Sequence, residues 1–407
     1  MELRPGYKQT EVGIIPEDWV ASTIGGVATF AGGSQPPRST FKFSPTPGYV
    51  RLIQIRDYKT DEYASFIPEA MARKRCTAGD IMIGRYGPPI FQILRGIEGA
   101  YNVALIKTTP KDVISREFLF HVLTQEKLFQ LIDSLSRRSS GQTGVEMPAL
   151  KAFGLPLPPH TEQRAIATAL SDMDALLDGL TQLIAKKRDL KQATMQQLLT
   201  GQTRLPGFGG EWEVKRIGEF TDCTAGGTPS TKIAEYWNGA IPWMNSGELN
   251  LKQVYAVEGR ITEAGLANSS TKMIPAKCVL IGLAGQGKTR GTVAMNHFEL
   301  CTNQSIAAIF PNESFIPEYL YYNLDNRYDE LRELSTGDGG RGGLNLRIIK
   351  SISLPFPPVT EQSAIATVLS DMDAELAALE ARLEKTRALK QAMMSELLTG
   401  EARLPTA

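Results

Sequence analysis

The stretch GLAGQGKT, Gly282 to Thr289, has the residue types and spacing of a phosphate-binding loop, G-x-x-x-x-G-K-[ST], and follows the apolar run CVLI. By pattern alone it would bind ATP or GTP. That chemistry needs a helix beginning at the lysine, so that its N-terminal amides and dipole hold the phosphates. Here Lys288 and Thr289 are followed by RGTVAMNHFEL, with Gly291 at once and then alternating β-type residues, so no helix is expected to start there. No apolar strand ending in an acid stands ready to help hold Mg²⁺. The other reactive side chains are dispersed. Cys76, Cys223, Cys278 and Cys301 show no C-x-x-C spacing, and His121, His160 and His297 are scattered along the chain, which predicts ordinary thiols and no metal.

The segment reads better as a Gly-rich hairpin tip presenting Gln286, Lys288, Thr289 and Arg290. Glycines let a backbone approach a phosphate closely, Lys and Arg supply charge, and Gln can pair bidentately with an adenine edge. A matching stretch, GRYGPP from Gly84 to Pro89, belongs to a tip that presents Arg85, Tyr86 and Gln92. A second pair of loops, SRRSSGQTG (Ser136 to Gly144) and STGDGGRGGLN (Ser335 to Asn345), offers Arg137, Arg138, Gln142, Arg341 and Asn345. These are the candidate DNA-contacting residues, against the alternative that such loops are only solvated surface.

The elements that must position these loops occur twice. LPLPPHTEQRAIATALSDMDA begins at Leu155 and LPFPPVTEQSAIATVLSDMDA at Leu354. The Glu of TEQ falls at 162 and 361 and the Thr of LLTG at 200 and 399, so no insertion separates the copies. Each copy predicts a helix of about 40 residues, ~60 Å long. Pro158-Pro159 and Pro357-Pro358 precede it, Thr161 and Thr360 serve as N-caps, Glu162 and Glu361 put charge in the first turn, and Gly201 and Gly400 close it. Ile166, Leu170, Met173, Leu177, Leu180 and Ile184 step by four and three, as do Ile365, Leu369, Met372, Leu376, Leu379 and Leu383. This is a heptad seam, with a break expected at Lys187 and Thr386 before it resumes at Leu190, Thr194, Leu198 and at Leu389, Met393, Leu397. Each helix starts acidic and ends basic. Antiparallel pairing would set Asp172 and Asp174 near Lys385 and Arg387, although the same charges also suit each helix's own dipole.

Weaker echoes precede each helix: Trp19, Ile24 and Gly25 with Trp212, Ile217 and Gly218; AGGSQP with AGGTPS; DIMIGRYG with CVLIGLAG; EFLF with EYLY. Short β-branched runs among many Gly and Pro predict strand-rich domains. The expected fold is α+β, with two strand-rich α/β domains separated by two long helices that form an antiparallel coiled coil, a pseudo-twofold internal repeat. The expected boundaries are a first domain at 1–158, helix 159–206, a second domain at 207–357 and helix 358–407. At 407 residues two domains are the natural division. No apolar run approaches the ~18 residues of a membrane span, and the polar start MELRPGYKQT lacks a signal-peptide core, which points to the cytoplasm. A formal charge of +0 argues against a protein that holds nucleic acid by global basicity, but not against local basic loops.

Taken together, the twin LP-x-PP-x-TEQ-x-AIAT openings, the twin LLTG ends, GGTPSTKIAEYWNGAIPW, GLAGQGKTRG and GGRGGLNLRIIKSISLPFPP resemble the specificity subunits of type I restriction-modification enzymes over essentially the whole chain. The first domain departs more, since GGSQPPRSTFKF lacks the aromatic and IPW ending of its counterpart. The resemblance implies a non-catalytic subunit whose two target-recognition domains each read one half of a bipartite site on double-stranded DNA. It implies helices that dock two modification subunits using S-adenosylmethionine, and motor-nuclease subunits using ATP and Mg²⁺, with no cofactor in this chain. Two other classes remain in view at this point: a P-loop nucleotidase, and a coiled-coil scaffold that reads no sequence.

Overall fold

A computed structural model describes residues 4–138, 144–285, 289–334 and 343–405, with the backbone alone at Arg137 and Arg138. The chain divides into two compact units, Met1–Leu180 with Arg382–Ala407, and Thr181–Ala381. Both long helices, His160–Leu199 and Val359–Thr399, are continuous, so each unit holds the start of one and the end of the other.

The first unit is built on a four-stranded antiparallel sheet in the order Ala28–Gly32, Leu105–Pro110, Ile81–Gly84, Gln92–Arg95. Its central strand, from DIMIG, is buried along its whole length because both faces are covered. The two-residue alternation of a strand sends Ile81 and Ile83 into one core, shared with the helix Arg116–Leu123 and the start of the long helix, and Met82 into another. A second sheet runs Phe66–Pro68, Tyr49–Ile53, Gly99–Tyr101, Arg75–Cys76, with its middle pair parallel.

The second unit uses the same order. Cys223–Ala225, Ile306–Ile309, Val279–Gly282 and Val293–Asn296 form the main sheet, extended by Gln253–Val254. Arg260–Ile261, Trp237–Met244, Leu300–Thr302 and Met273–Ile274 form the other. Val279 and Ile281 again enter the core beneath a helix, Pro317–Asp325, while Leu280 faces the opposite core. The weak echo DIMIG/CVLIG is therefore one strand used twice.

The repeated TEQ has a specific job in each unit. Glu162 is buried, accepts the indole N–H of Trp19 at 2.9 Å, and pairs with Arg403 at 2.6 Å. Glu361 accepts from Trp212 at 3.0 Å and pairs with Arg204 at 2.6 Å. Both arginines come from the RLP that follows LLTG, so the tail of one long helix binds the head of the other. The neighbouring glutamine clamps the strand-rich domain to the helix start. Gln163 accepts the Ser115 N–H at 2.7 Å, and Gln362 accepts that of Ile316 at 2.9 Å.

Three expectations about the helices need correction. They begin two residues early, at His160 and Val359, so Thr161 and Thr360 lie inside the first turn and do not cap it. Proline closes the approach instead: the Pro159 carbonyl accepts the Gln163 N–H at 2.9 Å, and the Pro358 carbonyl that of Gln362 at 2.9 Å. The seam does not break at Lys187 and Thr386. Leu190 and Leu389 are 53% and 55% exposed, whereas the Lys187, Lys191 and Lys390 side chains are 31%, 17% and 18% exposed and Thr386 is buried. The four-three rhythm thus runs on through Ile184, Lys187, Lys191, Thr194, Leu198 and through Leu383, Thr386, Lys390, Met393, Leu397, because lysine's aliphatic stem packs while its ammonium reaches an acid. Finally, Asp174 pairs with Lys390, not with Lys385 or Arg387, and Arg387 pairs with Glu384 on its own helix. In the second unit Lys191 pairs with Asp373, Lys187 with Glu375 at 2.7 Å and Arg188 with Glu380.

Candidate nucleic-acid interface

Val279–Gly282 pairs antiparallel with Val293–Asn296, Ile281 opposite Val293. The element after Thr289 is thus a strand, and the phosphate-loop reading fails for want of the helix whose amides would hold the phosphates. The turn closes on itself: Gly291 N–H donates to the Gly282 carbonyl at 2.9 Å and Thr292 N–H to the Thr289 carbonyl at 3.1 Å. A Cβ at Gly282 would meet the Thr289 carbonyl oxygen at 2.2 Å, so this glycine of the motif serves hairpin closure. Thr289 and Arg290 are half-buried at the root of this tip, while Gln286 and Lys288 lie outside the described residues.

In each unit the two loops singled out by sequence are brought together. The Arg85 carbonyl accepts the Val145 N–H at 3.3 Å, which joins the first tip to the end of the SRRSSGQTG loop. Tyr86, 37% exposed, lies between the Arg85 guanidinium, 5.3 Å from its ring, and Gly144. Gln92 opens the returning strand and its amide donates to the Pro89 carbonyl at 2.9 Å. Arg137 and Arg138 end the helix Glu126–Arg138, and Gln142 lies outside the described residues. In the second unit the Leu283 carbonyl accepts the Leu344 N–H at 3.0 Å, the same junction. Asn345 caps the helix Leu346–Ser351, its amide oxygen accepting the Ile348 N–H at 3.0 Å; Arg341 lies outside the described residues.

A third loop on each of these surfaces escaped the sequence reading. Short 3-10 turns, Ile55–Tyr58 and Ser246–Leu251, follow the middle strand of each second sheet and pack on the hairpin root. Ile55 lies 3.5 Å from where a Cβ on Gly84 would sit, and Leu249 3.1 Å from one on Gly282. The signal was present as a polar residue followed three later by an acid. Gln54 N–H donates to Asp57 at 2.9 Å, and Asn245 N–H to Glu248 at 2.9 Å. Burial raises the Asp57 carboxyl above the usual carboxylate range.

The cysteines lie elsewhere, in the cores. All four cysteines are free and buried, and burial pushes the Cys76 thiol up to about 11 and that of Cys278 to about 12. Among the described residues no cluster of His, Cys, Asp and Glu could hold a metal ion, and no helix is long and apolar enough to cross a membrane.

The chain is thus two mixed sheet-and-helix units, each carrying a hairpin and a capped turn. The chain belongs to the type I restriction modification DNA specificity domain family, matched at residues 16–188 and again at 209–387. It is 25% identical, over 98% of its length and 97% of theirs, to a Methanocaldococcus jannaschii protein provisionally named the MjaX type I restriction enzyme specificity subunit. It is 29% identical to the EcoR124I/EcoR124II type I restriction enzyme specificity subunit of Escherichia coli, over 54% of this chain and 55% of that one. The crystal structure of the type I restriction-modification S subunit from M. genitalium has the same fold, with a TM-score of 0.61, 15% identity and 98% of each chain covered. The P-loop enzyme and the scaffold without sequence readout find no support in these relatives or in the hairpin at Gly282.

Proposed function

We propose that each recognition domain reads one half of a bipartite DNA site, and that the long helices pair as an antiparallel coiled coil with pseudo-twofold symmetry that sets the unread gap. The observation that carries this reading is the junction of tip and pre-helix loop made twice, at Arg85–Val145 and at Leu283–Leu344, with unlike side chains on like frames. Duplex DNA's backbone has matching twofold symmetry, so such a frame suits two different half-sites a fixed distance apart. The boundaries at 158, 206 and 357 separate readers from spacers. In this reading the chain is the non-catalytic, cytoplasmic specificity subunit. Two modification subunits dock on the helices and methylate adenine with S-adenosylmethionine, and motor-nuclease subunits use ATP and Mg²⁺. The acidic residues Asp174 and Asp373, each meeting a lysine of the opposite helix, support the antiparallel pairing.

Mapping methylated adenines in cells that express this chain with its modification subunit tests the reading: a two-part motif with a fixed gap is expected. One heptad inserted after Leu180 and another after Leu379 keep the seam in phase and lengthen each helix by roughly 10 Å, about three base-pair rises. The halves should persist while the gap grows by about that much. An active enzyme with an unchanged gap means the helices are not the ruler.

A further inference from the structure

The basic side chains on the strands of the first unit's two four-stranded sheets are paired at home. Arg51 pairs with Asp61 at 2.6 Å, Arg75 with Glu69 at 2.9 Å, Arg95 with Glu117 at 2.5 Å and Lys107 with Asp80 at 2.7 Å. Arg56, on the capped turn that packs against the first hairpin root, differs. It is exposed, and among the described residues no acid forms an ion pair with it. It is nevertheless held in place by neutral groups. Its Nη2 donates to the Tyr63 carbonyl at 3.2 Å and to Ser65 Oγ at 3.4 Å, and its guanidinium lies 5.9 Å from the Tyr63 ring. Ser65 is fully buried and is itself bound by the Gln54 amide at 3.1 Å, the residue that opens the turn.

An arginine that serves only a phosphate needs charge and reach, which a flexible side chain supplies. An arginine that reads a base needs its fork fixed in direction before DNA arrives. Arg56 has that fixed direction, and among the described residues no group accepts from its Nε or Nη1. Arginine donors match the O6 and N7 acceptors of guanine in the major groove. The corresponding position of the second turn, two residues after the cap Asn245, is Gly247, so this contact belongs to one half-site only.

We propose that Arg56 is a specificity-determining residue of the first recognition domain, donating to a guanine in its half-site, with Ser65 and Gln54 as the residues that position it. This rests on the two-domain reading above. The test is the methylome of cells carrying the modification subunit with wild-type chain, Arg56→Ala, Arg56→Lys or Arg75→Ala. Wild type should give a two-part motif, and Arg75→Ala, whose charge Glu69 already neutralises, should leave it unchanged. Both Arg56 variants should lower discrimination at one guanine of one half by about tenfold and leave the other half intact, which also shows that the protein has folded. Arg56→Lys with the wild-type motif makes the residue a phosphate contact and overturns the inference, as does an unchanged motif in both variants. A wild-type methylome with no two-part motif overturns the underlying reading instead.

Discussion

Trp19 and Glu162 lie 143 residues apart in sequence and are joined by an indole N–H bond of 2.9 Å, with the tryptophan fully buried and the carboxylate nearly so. Arg403 completes the site from the other end of the chain and also grips Asp18. Removing Arg403 leaves a carboxylate buried with only the indole for company. Arg403→Ala should therefore destabilise the first unit by roughly 2–4 kcal/mol, below the value for a fully buried pair because the arginine is 41% exposed. Urea denaturation followed by tryptophan fluorescence, in a chain with Trp212, Trp237 and Trp243 replaced by Phe, checks this, and a change under about 0.5 kcal/mol would show that the pair only decorates the surface.

The continuous seam makes opposite predictions for neighbouring leucines. Leu190→Ala and Leu389→Ala, at exposed positions, should each cost less than about 0.5 kcal/mol. Ile184→Ala and Leu383→Ala, at buried ones, should each cost about 2–4 kcal/mol. Equal costs in thermal melts would restore the seam that the leucine spacing suggested.

His121 and Tyr322 hold equivalent places in the two units. Tyr322 donates to Asp373 at 2.8 Å, whereas His121 Nδ1 lies 4.0 Å from Asp174 and its Nε2 lies 3.1 Å from Ser171 Oγ. Burial lowers the His121 imidazole to about 4; the Asp174 charge opposes the shift, and Lys390 and Arg95 add to it. Between its unfolded value near 6.5 and about 4, the unfolded chain binds the extra proton. Stability from this group is therefore complete above about pH 6.5 and is lost as pH falls toward 4, by on the order of 3 kcal/mol. His121→Tyr should flatten the pH dependence of melting between pH 7 and 5; an undiminished slope means other groups carry it.

Because Thr289 leads into a strand, millimolar ATP with Mg²⁺ should leave the melting temperature of the isolated chain unchanged. Lys288→Ala should instead weaken DNA binding by the assembled methyltransferase about equally across sequences, and reduce its salt slope by about one. A melting shift with ATP that this variant abolishes would reverse the reading of the hairpin.

The duplicated helices, their glycine ends at Gly201 and Gly400, and the strand pair behind DIMIG and CVLIG were all legible in the sequence, because periodicity and repetition are local signals. The hairpin at Gly282 was legible too, since Gly291 and β-type residues follow the lysine. What was not legible depended on distance. Apolar counting prefers Leu190 to Lys187, yet only the facing acid Glu375 tells which side chain lies inward. The role of TEQ needed Trp19 and Arg403, neither adjacent to it. Arg56 looked like any surface arginine until Ser65, itself buried, was found behind it.

The exchange of helix ends also orders the birth of the molecule. The second unit, Thr181–Ala381, is one uninterrupted stretch of chain, whereas the first borrows Arg382–Ala407. On the ribosome, where the N-terminal part of a protein ordinarily matures first, the first unit here is completed only after its last piece, Arg382–Ala407, has been made. Glu162 and Asp18 gain Arg403 only once it has left the exit tunnel, so loss of the last residues would strip these contacts from the unit whose chain is made first.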